Sequence, residues 1–348
     1  MLPIVSQEDT PLPGPRAGVG PLRDSFGRVI TYLRVSVTDR CDLRCVYCMP
    51  EVGNPVSPRA EVLTVEEIVR AVSVFRRLGV TTVRITGGEP LLRRGLVEIV
   101  AGVRALGIED IALSTNATRL SEVGPALRAA GVRRINISLD TLRPERLQDV
   151  SRRGDHARIL AGIEVAAVLG FEERKLNTVV MRGINDDELG ELVDFAWARG
   201  FTPRFIELMP IGEGAALYPR HKFSTEEIIE RLGARVARGP RERRAARGPA
   251  RYLSSATQPE QQVGFISALT DNFCDGCNRA RMSAKGELRP CLASPRGVSL
   301  RDLMRAGESD DTLEAALRGA LDGKEATHHF LDDTRTDHHR VTMSGTGG

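Results

Sequence analysis

The chain has 348 residues and a net charge of +3, from 49 basic and 46 acidic residues. This length predicts about two domains of roughly 150 residues each, and the balanced charge gives no indication of a nucleic-acid partner. No apolar run approaches the ~20 residues that span a bilayer, and the N-terminus lacks the basic and apolar segments of a signal peptide. We therefore expect a cytoplasmic protein that does not contact membranes.

The first 22 residues are predicted to form a flexible arm, because this segment contains four prolines: Pro3, Pro11, Pro13 and Pro15. Six segments with the composition of strands follow, over residues 31–37, 81–86, 110–115, 132–139, 174–180 and 202–209. A helical pattern separates each consecutive pair, and Thr64 with Glu67 forms a capping box that opens the first helix. This alternation predicts an α/β fold with a parallel sheet or barrel.

Polar residues at the strand ends favour a barrel over a doubly wound sheet, which shows the same alternation. Five residues fall at or after predicted strand C-termini: Cys41, Gly87, Thr115, Ser138 and Met209. In a barrel these ends converge on one mouth, where active sites form.

The alternating pattern ends at Pro210. Ser224 and Glu227 then form a second capping box, and two more helices are predicted near 299–306 and 311–322. The arginine-rich stretch 235–251 contains Gly and Pro and lacks interleaved aromatics, which favours a solvated loop over a nucleic-acid patch. The expected organisation is an arm (1–22), a barrel (23–215), a C-terminal region for the second cysteine cluster and substrate binding (216–325), and a tail ending in Gly-Gly (326–348).

The first cysteine cluster, Cys41, Cys45 and Cys48, lies in the loop after the first strand. Three thiolates can hold three irons of a four-iron cluster and leave the fourth iron open to another ligand. The alternatives are a zinc site completed by a distant His or Cys, and three ordinary reduced thiols.

The second cluster has the spacing C-x2-C-x13-C, formed by Cys274, Cys277 and Cys291. A zinc ribbon is the alternative, but it usually has a second close pair of cysteines, and Cys291 stands alone. A second four-iron cluster fits better, and its open iron could bind substrate.

Two motifs around the first cluster are similar to those of the radical S-adenosylmethionine (SAM) superfamily. They are "CDLRCVYC" (41–48), with Tyr47 before the third cysteine, and "GGEP" (87–90). The resemblance implies that the open iron chelates the amino and carboxylate groups of SAM. One electron then splits a carbon–sulfur bond, and the resulting 5′-deoxyadenosyl radical abstracts a hydrogen atom.

Five further motifs narrow the resemblance to the molybdenum cofactor biosynthesis protein A family, whose members are GTP 3′,8-cyclases. They are "LRVSVTDRC", "RITGGEPL", "INISLD", "FIELMP" and "FCDGCNRARM", and the match runs from about residue 26 to 305. The resemblance implies an incomplete six-stranded barrel whose open side is covered by a C-terminal α+β region with a second Fe–S cluster. It also implies hydrogen abstraction from ribose C3′ of GTP and attack on guanine C8. The product would be (8S)-3′,8-cyclo-7,8-dihydroguanosine 5′-triphosphate, an early intermediate of molybdopterin biosynthesis.

The family's roles transfer to matching positions of this sequence. The cofactors implied are SAM and two 4Fe-4S clusters, held by Cys41, Cys45 and Cys48 and by Cys274, Cys277 and Cys291. The SAM-binding positions are Tyr47, Gly88, Ser138 and Met209. The GTP-binding positions are Arg34, Arg84, Thr115, Lys175, Arg279 and Arg281, and the catalytic ones are the first three cysteines with Arg279 and Arg281. Arg34 and Arg84 also lie inside β-branched runs, where a buried arginine needs an anionic partner.

Besides GTP, the resemblance implies an unidentified electron donor, a downstream cyclic pyranopterin monophosphate synthase that receives the product and, as one option for the oligomeric state, a second copy of the chain. It also implies that Gly347 and Gly348 reach the active site. Ala117 departs from the pattern, because the family usually has glycine after the Thr-Asn pair. The alternatives are a peptide-modifying two-cluster radical SAM enzyme, and a non-catalytic metal-stabilised binding module.

Overall fold

The computed structural model describes residues 20–243, 248–294, 297–332 and 343. Its first part is a repeated β/α unit. The strands are β1 (Tyr32–Ser36), β2 (Thr82–Thr86), β3 (Asp110–Thr115), β4 (Arg134–Ser138), β5 (Glu173–Val180) and β6 (Thr202–Glu207). The helices are α1 (Val65–Arg77), α2 (Leu96–Ala105), α3 (Leu120–Ala130), α4 (Pro144–Ser151), α5 (His156–Val168) and α6 (Leu189–Ala198).

The six strands are parallel and adjacent in chain order, from β1 to β6. Both faces of this sheet are covered, so its strands contain continuous buried residues; all five of β2 are buried. The six predicted units are confirmed. Helix α4 is an addition that the apolar pattern did not predict, because only Leu147, Val150 and Ser151 of its eight residues are buried.

The second part of the chain contains α7 (Glu213–His221), α8 (Thr225–Leu232), β7 (Glu242–Arg243), β8 (Arg251–Ser254), β9 (Gln262–Ile266), β10 (Arg279–Met282), β11 (Glu287–Arg289), β12 (Val298–Ser299), α9 (Leu300–Arg305) and α10 (Asp310–Asp322). Strand β9 pairs with β6, and β10 pairs with β1, both in parallel. Within the described residues, the result is one twelve-stranded sheet that does not close on itself, in the order β12-β11-β10-β1-β2-β3-β4-β5-β6-β9-β8-β7. This architecture confirms the incomplete barrel.

Both predicted capping boxes are present. The Thr64 hydroxyl accepts a hydrogen bond from the Glu67 amide at 3.2 Å, and the Glu67 carboxylate accepts one from the Thr64 amide at 2.8 Å. Ser224 and Glu227 make the same reciprocal pair at the start of α8. Each box satisfies two backbone donors that a helix N-terminus would otherwise leave free.

The segments outside the barrel differ from expectation in two places. Leu22, at the edge of the predicted arm, is fully buried and donates its amide to Leu78. In the arginine-rich stretch, Arg235 pairs with Asp194, and Arg241 and Arg251 pair with Asp271. These arginines are therefore fixed by carboxylates of the chain, which is more order than a solvated loop requires.

None of the helices in the described ranges is long and apolar enough to cross a membrane. Gly347 and Gly348 lie outside the described residues. The division into arm, barrel, C-terminal region and tail stays a prediction, since β9 and β10 continue the barrel sheet.

Candidate active site

A cavity of about 300 Å³ opens at the C-terminal ends of the barrel strands. Its wall contains the first cysteine triad and most of the predicted SAM and GTP residues: Cys41, Cys45, Cys48, Tyr47, Gly88, Ser138, Met209, Arg34, Arg84, Thr115, Arg279 and Arg281. Residues more than 200 positions apart thus meet in one site. The barrel mouth predicted from the polar strand ends is confirmed.

The first cysteine triad sits on a loop that is anchored at the C-terminal end of α4. The Arg44 and Val46 amides donate to the Ser151 and Val150 carbonyls, both at 2.9 Å. Within the loop, the Cys48 and Met49 amides both donate to the Cys45 carbonyl, at 2.9 and 3.1 Å. These bonds fix the backbone from which the three thiols project.

Tyr47 points across the barrel to β4. Its hydroxyl donates to Asp140 Oδ2 at 2.8 Å, and Asp140 Oδ1 accepts the Val179 amide at 2.9 Å. Burial raises the pKa of the Asp140 carboxyl to about 6, although these two hydrogen bonds oppose the rise. Asp140 therefore orients the aromatic residue of the cysteine motif, a role that the sequence did not reveal.

The two glycines of "GGEP" are required by close packing against the loop that leads to Cys41. A Cβ on Gly88 would lie 2.4 Å from the Arg40 carbonyl oxygen, and one on Gly87 would lie 2.7 Å from the Thr38 carbonyl oxygen. The absence of a side chain therefore lets the motif pack against the cysteine loop.

Glu89, the acidic residue of this motif, is buried and fully engaged in hydrogen bonds. Its carboxylate accepts from the Leu91 amide at 2.9 Å, the Thr115 hydroxyl at 2.7 Å and the Asn116 amide at 2.7 Å. Burial raises the pKa of Glu89 to about 7, against the effect of these bonds. Glu89 thus joins β2 to the loop after β3.

The turn after β3 keeps the geometry for which glycine is suited, although residue 117 is alanine. Ala117 has φ of 65°, and its amide donates to the Thr115 hydroxyl at 3.0 Å. A left-handed conformation costs a non-glycine residue roughly 1–2 kcal/mol. The departure therefore leaves the turn in place at some cost in stability. The Thr115 hydroxyl, predicted to contact GTP, already has two protein partners.

Three arginines lie side by side across β10, β1 and β2. The strand register pairs Arg34 with Arg281 on one side and with Arg84 on the other. Like charges in such positions destabilise a sheet unless an anion lies among them. Burial, and then the charges of Arg281 and Arg84, lower the pKa of Arg34; burial, and then Arg279, lower that of Arg281 to about 10.

Arg281 of this row has a guanidinium nitrogen available to an incoming anion. Arg281 Nη1 is buried and has no hydrogen-bond partner among the described residues. Arg84 bonds to neutral groups, namely the Tyr32 hydroxyl and, at 3.1 Å, Ser114 Oγ. Arg279 stacks over the Phe273 ring at 4.7 Å. The cavity is therefore an anion site built from several guanidinium groups.

Sequence reasoning missed several polar residues of the wall, among them Tyr32, Asn136, Asn177 and Arg204. Arg204 is buried and donates to Asn177 Oδ1 at 2.9 Å. Side chains two residues apart on a strand share a face. Asn136 therefore shares a strand face with the predicted site residue Ser138, and Asn177 shares one with Lys175. This spacing could have identified both asparagines as site residues.

Lys175 is the predicted GTP residue that does not line the cavity. It lies two residues before Asn177 on β5, is buried and pairs with Glu173. Burial, followed by the charge of Arg204, lowers the pKa of Lys175 to about 7. Its ammonium is thus held below the cavity floor by a carboxylate of its own strand.

The second cysteine triad does not line the cavity, but residues close to it in the chain do. Phe273, Arg279 and Leu292, which line the cavity, are neighbours of Cys274, Cys277 and Cys291 in sequence. Burial opposes ionisation of Cys277, but the charges of Arg279 and Lys324 outweigh it and lower the pKa of this thiol to about 7. Cys277 thus favours the thiolate form through its cationic neighbours, whereas burial raises the pKa of Cys291.

The donor sets fit iron–sulfur clusters. All six cysteines are free thiols, and three of them share one cavity. Among the described residues, no three His, Cys, Asp or Glu side chains converge tightly enough to hold a single metal ion. Three thiolates that bind different irons of one cluster need no such convergence. Each triad would bind three irons of a four-iron cluster and leave the fourth iron without a cysteine ligand. Chemistry at an open iron requires this arrangement.

Comparison with known proteins gives two family matches that cover most of the chain. The Radical SAM superfamily profile matches residues 35–196, and the Molybdenum Cofactor Synthesis C profile matches residues 201–330. Among solved structures, Streptococcus suis SuiB bound to precursor peptide SuiA has a TM-score of 0.60 over 86% of this chain and 69% of that chain. At 15% identity, this similarity concerns the fold alone.

Curated relatives match over nearly their whole lengths. The GTP 3′,8-cyclase of Heliobacterium modesticaldum is 46% identical over 93% of this chain and 99% of that protein. The enzymes of the same name from Ectopseudomonas mendocina and Pelotomaculum thermopropionicum are 44% and 41% identical, over 94% of this chain and 98% and 100% of those proteins. At these identities and coverages, the chain belongs to the GTP 3′,8-cyclase family of radical SAM proteins.

Proposed function

We propose that this protein is a GTP 3′,8-cyclase, which converts GTP to (8S)-3′,8-cyclo-7,8-dihydroguanosine 5′-triphosphate in molybdenum cofactor biosynthesis. Relatives of that name match nearly the whole chain. The observation that carries the proposal is the arginine row Arg281–Arg34–Arg84, which lines the same cavity as the first cysteine triad. A triphosphate is a concentrated anion that such a row would bind.

The cofactors are two 4Fe-4S clusters and SAM. When bound, the first cluster and SAM would supply the one-electron chemistry that removes a hydrogen atom from the substrate ribose. Cys41, Cys45 and Cys48 would hold that cluster, and Tyr47, Gly88, Ser138 and Met209 would contact SAM. Cys274, Cys277 and Cys291 would hold the second cluster beside the guanine base.

The chain's own polar residues would bind and orient GTP. Arg34, Arg84, Arg279 and Arg281 offer charge-assisted hydrogen bonds, and Arg204, which is buried, adds a fifth guanidinium. Lys175 would reach GTP only by leaving Glu173, and Thr115 only by exchanging a hydrogen bond. For these two residues we therefore propose weaker contributions than for the arginines.

The experiment that tests the proposal is anaerobic incubation of the iron-reconstituted protein with SAM, dithionite and GTP, followed by mass spectrometry. We expect a cyclised product that depends on all three additions. ATP serves as the matched nucleotide, with the same triphosphate and a different base. SAM cleavage without conversion of GTP would instead favour another two-cluster radical SAM activity, such as peptide modification.

Replacing Arg281 by Met should weaken GTP binding roughly 10- to 100-fold, since hydrogen bonds to charged groups contribute about 1.5–3 kcal/mol. Isothermal titration of the full-length protein with GTP measures this affinity. Arg104→Met is the matched control, because Arg104 is exposed in the last turn of α2, at the other end of the barrel. Equal affinity in the Arg281 variant and the unmodified protein would remove Arg281 from the substrate site.

Deleting Gly347 and Gly348 should suppress product formation while both clusters, SAM binding and the fold stay intact. Met343, a tail residue that the structure describes, lines the cavity and packs near Ile211 and Phe330. Ordering a tail costs roughly 1–2 kcal/mol per residue, so docking needs compensating contacts in the site. Iron content, SAM binding and turnover measure the effect. Full-length turnover by the truncated enzyme would show that the last two residues are dispensable.

The proposed partners are a one-electron donor and a downstream cyclic pyranopterin monophosphate synthase that receives the product. We also propose a homodimer, which sedimentation velocity of the reconstituted protein would test, and a cytoplasmic location. Six free cysteines support that location, since reducing compartments keep thiols available for iron.

A further inference from the structure

Lys324 lies against the second cysteine loop and has no part in the function proposed above. It follows α10 and is 2% exposed. Its ammonium donates to the Arg279 carbonyl at 2.9 Å, the Cys277 carbonyl at 3.4 Å and Cys277 Sγ at 3.6 Å. One cation thus bonds both the backbone and the sulfur of the cysteine loop.

The surroundings of Lys324 hold it in this position. Asp24 Oδ2 lies 3.9 Å from the Lys324 ammonium and 2.6 Å from Arg28 Nε. The Arg28 guanidinium donates to the Cys274 carbonyl at 2.8 Å and to the carbonyls of Glu325 and Ala326 at 2.7 Å. The N-terminal turn, the segment after α10 and the cysteine loop are therefore linked into one buried polar network.

The cysteines of the first triad have carboxylates as charged neighbours. The charge of Glu89 acts on Cys41 and that of Asp140 acts on Cys45. Arginines line other parts of this cavity, and among the residues that the structure describes, no lysine lines it. A cation that donates N–H to a cluster sulfur stabilises the reduced, more negative form of the cluster and so raises its reduction potential. The two sites therefore differ in the sign of the charged groups next to their cysteine sulfurs.

We infer that Lys324 is a positioning residue of the second iron–sulfur site, which retains the cluster through Cys277 and holds its reduction potential above the value that it would have without this cation. The inference rests on the proposed function, which places a four-iron cluster on Cys274, Cys277 and Cys291. Lys324 acts through the cysteine loop and needs no contact with GTP or SAM.

The test compares Lys324→Met, which removes charge and donors, with Lys324→Gln, which removes the charge alone, and Lys324→Arg, which keeps both. Lys285→Met is the matched control, because it removes the same charge at an exposed pair with Glu61. In the reconstituted full-length proteins, we would measure iron loss to a chelator and the midpoint potential of the second cluster by EPR-monitored titration. SAM cleavage with dithionite reports on the first cluster.

In Lys324→Met, we expect loss of the second cluster to the chelator roughly 10- to 100-fold faster than in the unmodified protein, the usual effect of removing a partner of a metal ligand. The midpoint potential of that cluster should become more negative, and SAM cleavage should be unchanged. Lys324→Gln should show the same shift of the midpoint potential but lose iron more slowly than Lys324→Met. Lys324→Arg should match the unmodified protein in both measurements.

A lower melting temperature with unchanged iron loss and midpoint potential would overturn the inference, since Lys324 would then only stabilise the fold. If Lys324→Met does not fold, the potential of Lys324→Gln decides in the same way. An unmodified protein that holds only one cluster would contradict the proposed second site itself, which separates that failure from a failure of this inference.

Discussion

Replacing Cys45 by Ser is expected to remove about four of roughly eight irons and to abolish SAM cleavage. Each cysteine triad can hold one four-iron cluster, and Cys45 is the middle ligand of the first. Its carbonyl also accepts the Cys48 and Met49 amides, so the backbone of the loop should survive the substitution. Iron analysis and detection of 5′-deoxyadenosine after anaerobic incubation with SAM and dithionite measure both effects.

Circular dichroism must be unchanged in this variant, so that the loss reflects the cluster and not the fold. The Ser variant removes one sulfur and keeps the size of the side chain, which makes it the mildest substitution at this position. Undiminished SAM cleavage, or tightly bound zinc with no iron-dependent activity in the unmodified protein, would contradict the assignment of the first triad.

Replacing Cys277 by Ser should leave SAM cleavage intact and abolish GTP cyclisation. Cys277 does not line the cavity that contains the first triad, although Phe273 and Arg279 near it in the chain do. Because Arg279 and Lys324 both donate to its sulfur at 3.6 Å, loss of this thiolate also removes the partner of two cations. We expect a loss of about four irons and of nearly all product, measured by iron analysis and mass spectrometry.

The Cys45→Ser and Cys277→Ser variants control each other, because each should lose half of the iron. Equal loss of SAM cleavage in both would contradict a division of labour between the clusters. Thermal melting of the Cys277 variant is needed alongside, because its loop pairs with β1 through Asn278 and could affect folding.

Much of the barrel could be predicted because its signals are local. Thr64–Glu67 and Ser224–Glu227 are short-range pairs, and their capping boxes were found at the predicted positions. The strand over 110–115 was predicted with both ends correct, since its buried residues are flanked by polar loops. The spacing of the first three cysteines is also a local signal, because all three lie in one loop and their spacing suggests a four-iron cluster.

The rest depends on contacts that no local pattern contains. The pairing of Arg34 with Arg281 joins residues far apart in the chain, and only the strand register reveals it. Nothing in the sequence distinguished Arg204 from the other basic residues, but its position on β6 places it in the cavity wall. The spacing of Lys175 and Glu173 on one strand face could have suggested their ion pair. The sequence could not show that Lys175 lies outside the cavity wall.

The most direct test of the central claim, that this cavity brings the ribose of GTP to the first cluster site, uses GTP with deuterium at ribose C3′. The reconstituted enzyme is incubated with this GTP, SAM and dithionite, and 5′-deoxyadenosine is analysed by mass spectrometry. The account predicts that deuterium appears in 5′-deoxyadenosine and that GTP deuterated at another ribose carbon transfers none. Unlabelled 5′-deoxyadenosine formed alongside a GTP-derived product would contradict it.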